Sequence, residues 1–311
     1  MTQAGKAQDR SGAHDVIVIG GPTASGKSGL ALDIALARGG AIINADSMQV
    51  YDGLPRLTAQ PPPDDLRAAP HLLYGALAPA QICSAARWRD MALAAIDETR
   101  AAGRLPVVVG GTGFYIRTLT DGISPMPEVP VGVRTRLAAQ IEQEGNEAFH
   151  RRLATRDPVM AARLHPSNTQ RLIRAMEVLE HTGKSLAEWQ ALPADGPPPH
   201  LRFIKVALLP PRDVLYPRCD KRFLHMIDEG VLDEVKNFPV PQTNPWPLHK
   251  ALGYPELRAY LDGTCTRADA IAAAQQSTRH YAKRQVTWFR HQMDADIVLE
   301  EAAADAVLSA F

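Results

Sequence analysis

Cysteine is scarce in this 311-residue chain, net charge is absent and no apolar run is long. Cys83, Cys219 and Cys265 are odd in number and far apart, which suits neither a disulfide framework nor a zinc pair. The histidines are scattered singly, so no intrinsic zinc site is expected. Lys+Arg and Asp+Glu both number 34, giving a formal charge of zero. That excludes a uniformly basic nucleic-acid coat and leaves room only for local basic patches. The longest apolar runs, such as Val16–Ile19 and Leu105–Val109, fall far short of the about 18 residues a membrane span requires. Residues 1–14 are polar and lack the apolar stretch of a secretory signal. They read as a flexible tail, and the natural compartment is a reducing cytoplasm.

What is present supports a packed protein. Apolar residues make up 45% and charged residues 22%, enough for a substantial core. The length suggests roughly two domains. Proline clusters at Pro61–Pro63, in SPMPEVP (124–130), at Pro197–Pro199 and in FPVPQTNPWPL (238–248), and each cluster reads as a loop or linker. The first segment alternates strand and helix patterns. Val16–Ile19, Ala41–Asn44 and Leu105–Val109 are strand candidates, with helical patterns over Lys27–Arg38 and Arg87–Ala102. Buried strands separated by helices imply a parallel sheet. From about 131 to 192 strand signals vanish. Ser167-x-x-Gln170 has the form of a capping box, Leu172, Ile173, Met176 and Leu179 repeat at helical spacing and read as the core side of the helix, and Gly183 suits a helix C-cap. Phe203–Leu209 then reads as a strand again. The expected fold is α/β: a P-loop core with a parallel sheet flanked by helices (15–123 and 201–311), interrupted by an all-helical insertion domain (124–200).

The chemistry begins at Gly21-Pro22-Thr23-Ala24-Ser25-Gly26-Lys27-Ser28, which matches GxxxxGK[ST] between a strand and a helix. Such a loop turns backbone N–H groups toward phosphate oxygens, and the helix N-terminus adds partial positive charge. Lys27 supplies a point charge, and the Ser28 hydroxyl is placed to hold Mg²⁺. The loop specifies a di- or triphosphate but not the molecule that carries it. Leu105–Val109 runs into Gly110-Gly111-Thr112-Gly113 with no carboxylate, unlike the usual Mg²⁺-binding strand of a P-loop NTPase. The acid is Asp46 instead, just after Ala41–Asn44. At a strand's carboxyl end it could hold Mg²⁺ through water, act as a base, or simply cap a turn.

GPTASGKS, INADSMQVY, GGTGFY, QRLIRAMEV and YAKRQVTWFR occur in that order. With them, residues 15–292 closely resemble the bacterial tRNA dimethylallyltransferases. The resemblance implies transfer of a dimethylallyl group from dimethylallyl diphosphate to N6 of the adenosine at position 37, beside the tRNA anticodon. Diphosphate is released and Mg²⁺ assists. It implies that Gly21–Ser28 hold the diphosphate, that Asp46 is the general base on the amine, and that Thr112 lies near the reacting carbon. Arg134 would face the leaving diphosphate, where negative charge develops. Contacts to the anticodon stem-loop fall by resemblance on Asp46, Ser47, Met48 and Gln49, on Gln170, Arg171, Leu172, Ile173 and Arg174, and on His249, Lys250, Gly253 and Tyr254.

Lys283 and Arg284 belong to a stretch without acids between Asp269 and Asp294, a basic helical stripe suited to phosphates. Arg279, Lys283 and Arg290 align there, while Tyr281 and Trp288 line another face on which the tryptophan reads as core. The face carrying Gln170 and Arg174 is equally compatible with plain solvation. A monomer is expected, with a channel that admits the donor at one end and a flipped adenine at the other. The sequence departs from the family at Gln60, where many members have lysine, and over Asp52–Leu57. The eukaryotic members' C-terminal zinc finger is not found, which points to a bacterial-type enzyme. A P-loop kinase accounts for Gly21–Ser28 but not for YAKRQVTWFR, and a nucleotide-gated RNA-binding switch would bind tRNA but turn nothing over, which an Asp46→Ala variant that keeps RNA binding and loses prenyl transfer would exclude.

Overall fold

The computed structural model describes residues 14–241 and 245–310. The expected tail lies outside them, apart from His14 at the start of the first strand. The order is β1 (His14–Gly20), α1 (Lys27–Arg38), β2 (Ala41–Asn44), α2 (Pro63–Ala68), β3 (His71–Leu72), α3 (Ala85–Ala101), β4 (Pro106–Gly110) and α4 (Gly113–Thr120). Five helices follow: α5 (Val131–Glu144), α6 (Asn146–Arg156), α7 (Pro158–Ala162), α8 (Thr169–Thr182) and α9 (Leu186–Gln190). The chain then forms β5 (Leu201–Leu208), α10 (Arg212–Asp228), α11 (Val231–Asn237), a 3₁₀ turn (Pro247–Lys250), α12 (Tyr254–Leu261), α13 (Arg267–Gln292), β6 (Ile297–Leu299) and α14 (Ala304–Leu308). No helix among the described residues is long and apolar enough to cross a membrane.

Two compact units result. One comprises the chain up to Thr120 and from Pro197 onward; the other is Asp121–Gly196. The first unit holds a six-stranded sheet in the order β3-β2-β4-β1-β5-β6, with every pairing parallel. Side chains of a strand alternate between faces. Val16 and Val18 accordingly pack with Trp88, Ile116 and Phe289 on one face, while Ile17 and Ile19 pack with Leu30 and Ile34 on the other. Burial on both faces explains the continuous β-branched runs of β1 and β4. The outermost strands, β3 and β6, are two and three residues long, too short to leave a pattern in the sequence. Three neighbouring strands, β2, β4 and β1, aim their carboxyl ends at one place, where open α/β sheets bind ligands.

The second unit is all helical around Leu137, Phe149, Leu153, Leu172 and Met176. Its start of α8 differs from the expected capping box. The N-cap is Asn168 with no side-chain bond, and the Ser167 hydroxyl turns back to His165 Nδ1 at 2.8 Å. The box forms instead on α9, between Ser185 and Glu188. Gly183 closes α8 in the left-handed conformation, its N–H donating to Leu179 O.

Candidate phosphate and amine site

The loop Gly21–Ser28 joins β1 to α1, and Lys27 Nζ donates to Pro22 O at 3.1 Å. Burial pushes the Lys27 ammonium down to about 8, and the charge of Asp46 partly offsets this. A partly buried point charge against a glycine loop is a strong anion partner, since less water competes for it. Thr23, expected among the phosphate ligands, is turned inward. Its N–H donates to Gln285 Oε1 at 2.9 Å, and its hydroxyl accepts a hydrogen bond from the Arg222 guanidinium. Ser25 is 1% exposed, and its hydroxyl is a buried oxygen without a hydrogen-bond partner.

Asp46 follows β2 and is fixed by its own neighbours. Buried Asn44 accepts the Asp46 N–H on Oδ1 at 2.8 Å and donates through Nδ2 to Asp46 O and Leu73 O. Asp46 Oδ1 accepts the Met48 N–H at 2.9 Å. Oδ2 points at Gly111, where an added Cβ would lie 3.3 Å from it. One carboxylate oxygen is thus committed to the turn, and the other faces the glycine loop after β4. Thr112 braces the two loops: its Oγ1 accepts the Ser47 N–H at 2.9 Å and lies 3.2 Å from Ser47 Oγ. The pair Asp46 and Thr112, far apart in sequence, meets here.

A cleft of about 260 Å³ opens beside these groups. Asp46, Ser47, Met48, Arg222, Lys250 and Arg284 supply its polar and flexible lining, with Leu57, Phe223 and Met226 as an apolar wall. Tyr281 also lines it, with the Arg284 guanidinium 5.5 Å from its ring centre. Burial and the negative charge of Asp46 push the Tyr281 phenol up, so it stays neutral. Burial lowers Arg222, while Cys219 and Asp46 act in the opposite direction. The arrangement can bind an anion beside an apolar wall and take a proton on Asp46 Oδ2.

The sequence pattern of the IPP transferase family matches residues 49–292. The tRNA dimethylallyltransferase of Paramagnetospirillum magneticum is 50% identical, covering 94% of this chain and 93% of its own. That of Rhodospirillum centenum is 52% identical, covering 90% of each. The chain belongs to the tRNA dimethylallyltransferase family. Solved structures agree. The tRNA isopentenylpyrophosphate transferase of Bacillus halodurans superposes with a TM-score of 0.63 at 32% identity, over 95% of this chain and 93% of that one. A eukaryotic dimethylallyltransferase acting on tRNA gives 0.74 at 27% identity, over 94% and 75%.

Several residues expected to contact tRNA also have partners within the protein. Leu172 and Ile173 are buried in the helical unit's core, leaving Gln170 and Arg171 exposed. Arg174 Nη1 donates to buried Glu177 Oε1 at 2.6 Å, and half-exposed Arg134 lies 3.9 Å from the same oxygen. Gln49 donates both amide hydrogens within its own loop region, to Thr58 O at 2.9 Å and Ala59 O at 2.7 Å, leaving only its carbonyl oxygen for a base edge. His249 Nδ1 accepts the Trp246 N–H at 2.8 Å, and its Nε2 lies 3.0 Å from Pro239 O. Tyr254 is 4% exposed, and Gly253 starts α12 with φ 89° against Phe223. Lys250 alone of those four has an exposed side chain. On α13, Lys283 and Arg284 are exposed, whereas Arg279 is paired with Asp220.

The cleft and its bracing loops in this member of the tRNA dimethylallyltransferase family also include residues that carry little or no signal in the sequence. Arg222 sits in an ordinary amphipathic helix with no local signal. Asn44 had a signal, a polar residue closing an apolar strand. Gln285 lay inside YAKRQVTWFR without a role. Gln60, a departure from the family, donates to Tyr51 O at 2.8 Å and so ties its loop to the residue that bridges to Leu77.

Proposed function

We propose that this chain carries out its family's reaction, prenylation of A37 in tRNA, by direct displacement with the phosphate loop gripping the leaving group. Adenine N6 attacks the first carbon of dimethylallyl diphosphate. The carbon–oxygen bond breaks, diphosphate departs, and the proton on the attacking nitrogen passes to Asp46 Oδ2. The product is N6-(dimethylallyl)adenosine beside the anticodon. A positioned carboxylate accelerates such a proton transfer by about 10²–10⁴-fold. The observation that carries this reading is the free Asp46 oxygen facing Gly111, close enough to partly buried Lys27 to raise its pKa.

Lys27 and Arg222 neutralise the charge that builds on the departing diphosphate, together with those loop N–H groups that are not already committed, as Thr23 is to Gln285 and Ser25 to Pro22. Arg134 keeps, as a proposal, the leaving-group role implied by resemblance. Thr112 holds the Asp46 loop in register. The apolar wall of Leu57, Phe223 and Met226 excludes water from the cleft. Gln170, Arg171 and Arg174, with Lys250, Lys283 and Arg284, are the proposed contacts to the anticodon stem-loop, where single-stranded bases are open to readout. The target adenine must leave its stack to enter the cleft. A tRNA substrate supports a cytoplasmic location.

No group of three or more His, Cys, Asp or Glu able to hold a metal occurs among the described residues. That donor set does not suit an all-protein cage. It does suit Mg²⁺ carried on a diphosphate, which needs only one or two protein oxygens. The Ser28 hydroxyl at the exposed start of α1 would hold it. When bound, the ion supplies charge neutralisation at the phosphate oxygens.

The test is to incubate the protein with unmodified tRNA and either prenyl-labelled dimethylallyl diphosphate or γ-phosphate-labelled ATP. Prenyl label on A37 with release of diphosphate is expected. Phosphoryl transfer from ATP without prenyl transfer would overturn the reading in favour of a kinase.

A further inference from the structure

Helix α13 lies against two of the loops that build the site. Gln285 is 5% exposed and spans them: Oε1 accepts the Thr23 N–H at 2.9 Å, and Nε2 donates to Gly111 O at 2.8 Å. The orientation of the carboxamide is forced, because an amide N–H can only donate and a carbonyl oxygen can only accept. Gly111 accommodates this contact because it lacks a side chain. A Cβ there would overlap Gln285 Nε2. One helical turn on, Trp288 presses on Gly113 in the same way. Packing of the helix is already supplied by Trp288 and Phe289, so it does not by itself call for a carboxamide at position 285.

A line of hydrogen bonds joined through adjacent residues follows. Arg222 holds the Thr23 hydroxyl, and the Thr23 amide holds Gln285. Gln285 holds Gly111, the next residue Thr112 holds Ser47, and Ser47 adjoins Asp46. The end that grips an anion is thereby tied to the end that takes a proton.

We propose that Gln285 is a positioning residue, whose carboxamide sets the phosphate loop at a fixed spacing from the Asp46 and Thr112 loops. This rests on the displacement reading above, in which the donor carbon and the base must reach one amine together. A near-attack geometry of this kind is sensitive: a misplacement of about 1 Å costs on the order of 10²-fold in rate. Neither of Gln285's hydrogen bonds contacts the reacting atoms, so its effect falls on their alignment. An apolar replacement would also strand a buried N–H and a buried C=O.

The test compares the unaltered enzyme with Gln285→Met, which fills similar volume without hydrogen bonds, and Gln285→Glu, which keeps the acceptor for Thr23 and loses the donor to Gly111. Four quantities are measured: single-turnover prenyl transfer, affinity for inorganic diphosphate, affinity for an unmodified tRNA transcript, and melting temperature. Gln285→Met is expected to lose about 10²-fold in transfer rate. Both affinities should stay within about threefold, less than 1 kcal/mol. Gln285→Glu should fall between Met and the unaltered enzyme, and it decides the matter if the Met variant does not fold. Transfer within about threefold of the unaltered rate overturns the proposal, as does a loss that tracks melting temperature and both affinities. Failure of the unaltered enzyme to transfer any prenyl group overturns the displacement reading and this inference with it, an outcome distinct from either of those.

Discussion

Burial holds the Lys27 ammonium at about 8, well below the usual lysine range, before any anion arrives. The protonated fraction of the free enzyme therefore falls as pH rises through that value. An arriving diphosphate favours the charged form and draws the proton back. The expected profile of kcat/KM for dimethylallyl diphosphate declines above about pH 8, while kcat, which reports the complex, declines later. In Lys27→Arg the alkaline decline should vanish, because guanidinium stays charged. A pH series of initial rates for the two proteins checks this. Residues also differ in how far the sequence reveals them. Lys27 and Asp46 are legible because a motif fixes their place relative to a strand end. His249 and Tyr254 look equally suited to binding by resemblance, yet their side chains are spent on Trp246 and on the core beside Phe223, whereas the burial of Leu172 is already legible in its helical spacing. Only packing partners distant in sequence distinguish the two cases.

At the scale of elements, α1, β2 and α8 fall close to where periodicity and glycine signals put them. β3 and β6 escape because edge strands of two and three residues carry no alternation. The motif YAKRQVTWFR reads as a basic stripe, and its exposed face is one. Its inward face is the more constrained, since Gln285 and Trp288 meet Gly111 and Gly113. Gly113→Ala is therefore expected to be costly, because the new Cβ would overlap the Trp288 ring. Overpacking of this kind typically costs about 1–3 kcal/mol. Gly132→Ala, on α5 with no atom within 4 Å of the added carbon, is the control and should gain roughly 0.4–1 kcal/mol. Chemical denaturation of both variants checks the pair. Similar stability in the two would contradict the proposed fit of α13 against the glycine loop.

The whole molecule combines a parallel sheet whose strand ends assemble an anion cradle and a base with an inserted helical unit carrying an exposed Gln170 and Arg171. Zero net charge means that affinity for RNA must come from such local groups, with a corresponding dependence on salt. The architecture was legible because an α/β alternation, a run without strand signals and a return to strand are long-range patterns. The ties between loops were not, because Arg222, Gln285 and Asn44 act across gaps that no local spacing encodes. The central claim is that the cradle holds a leaving diphosphate while Asp46 takes the proton from the attacking nitrogen. Single-turnover transfer by Asp46→Asn, with dimethylallyl diphosphate and tRNA both saturating, tests it most directly. A rate about 10²–10⁴-fold below that of the unaltered enzyme, with tRNA still bound, is the predicted result. An unchanged rate would contradict it.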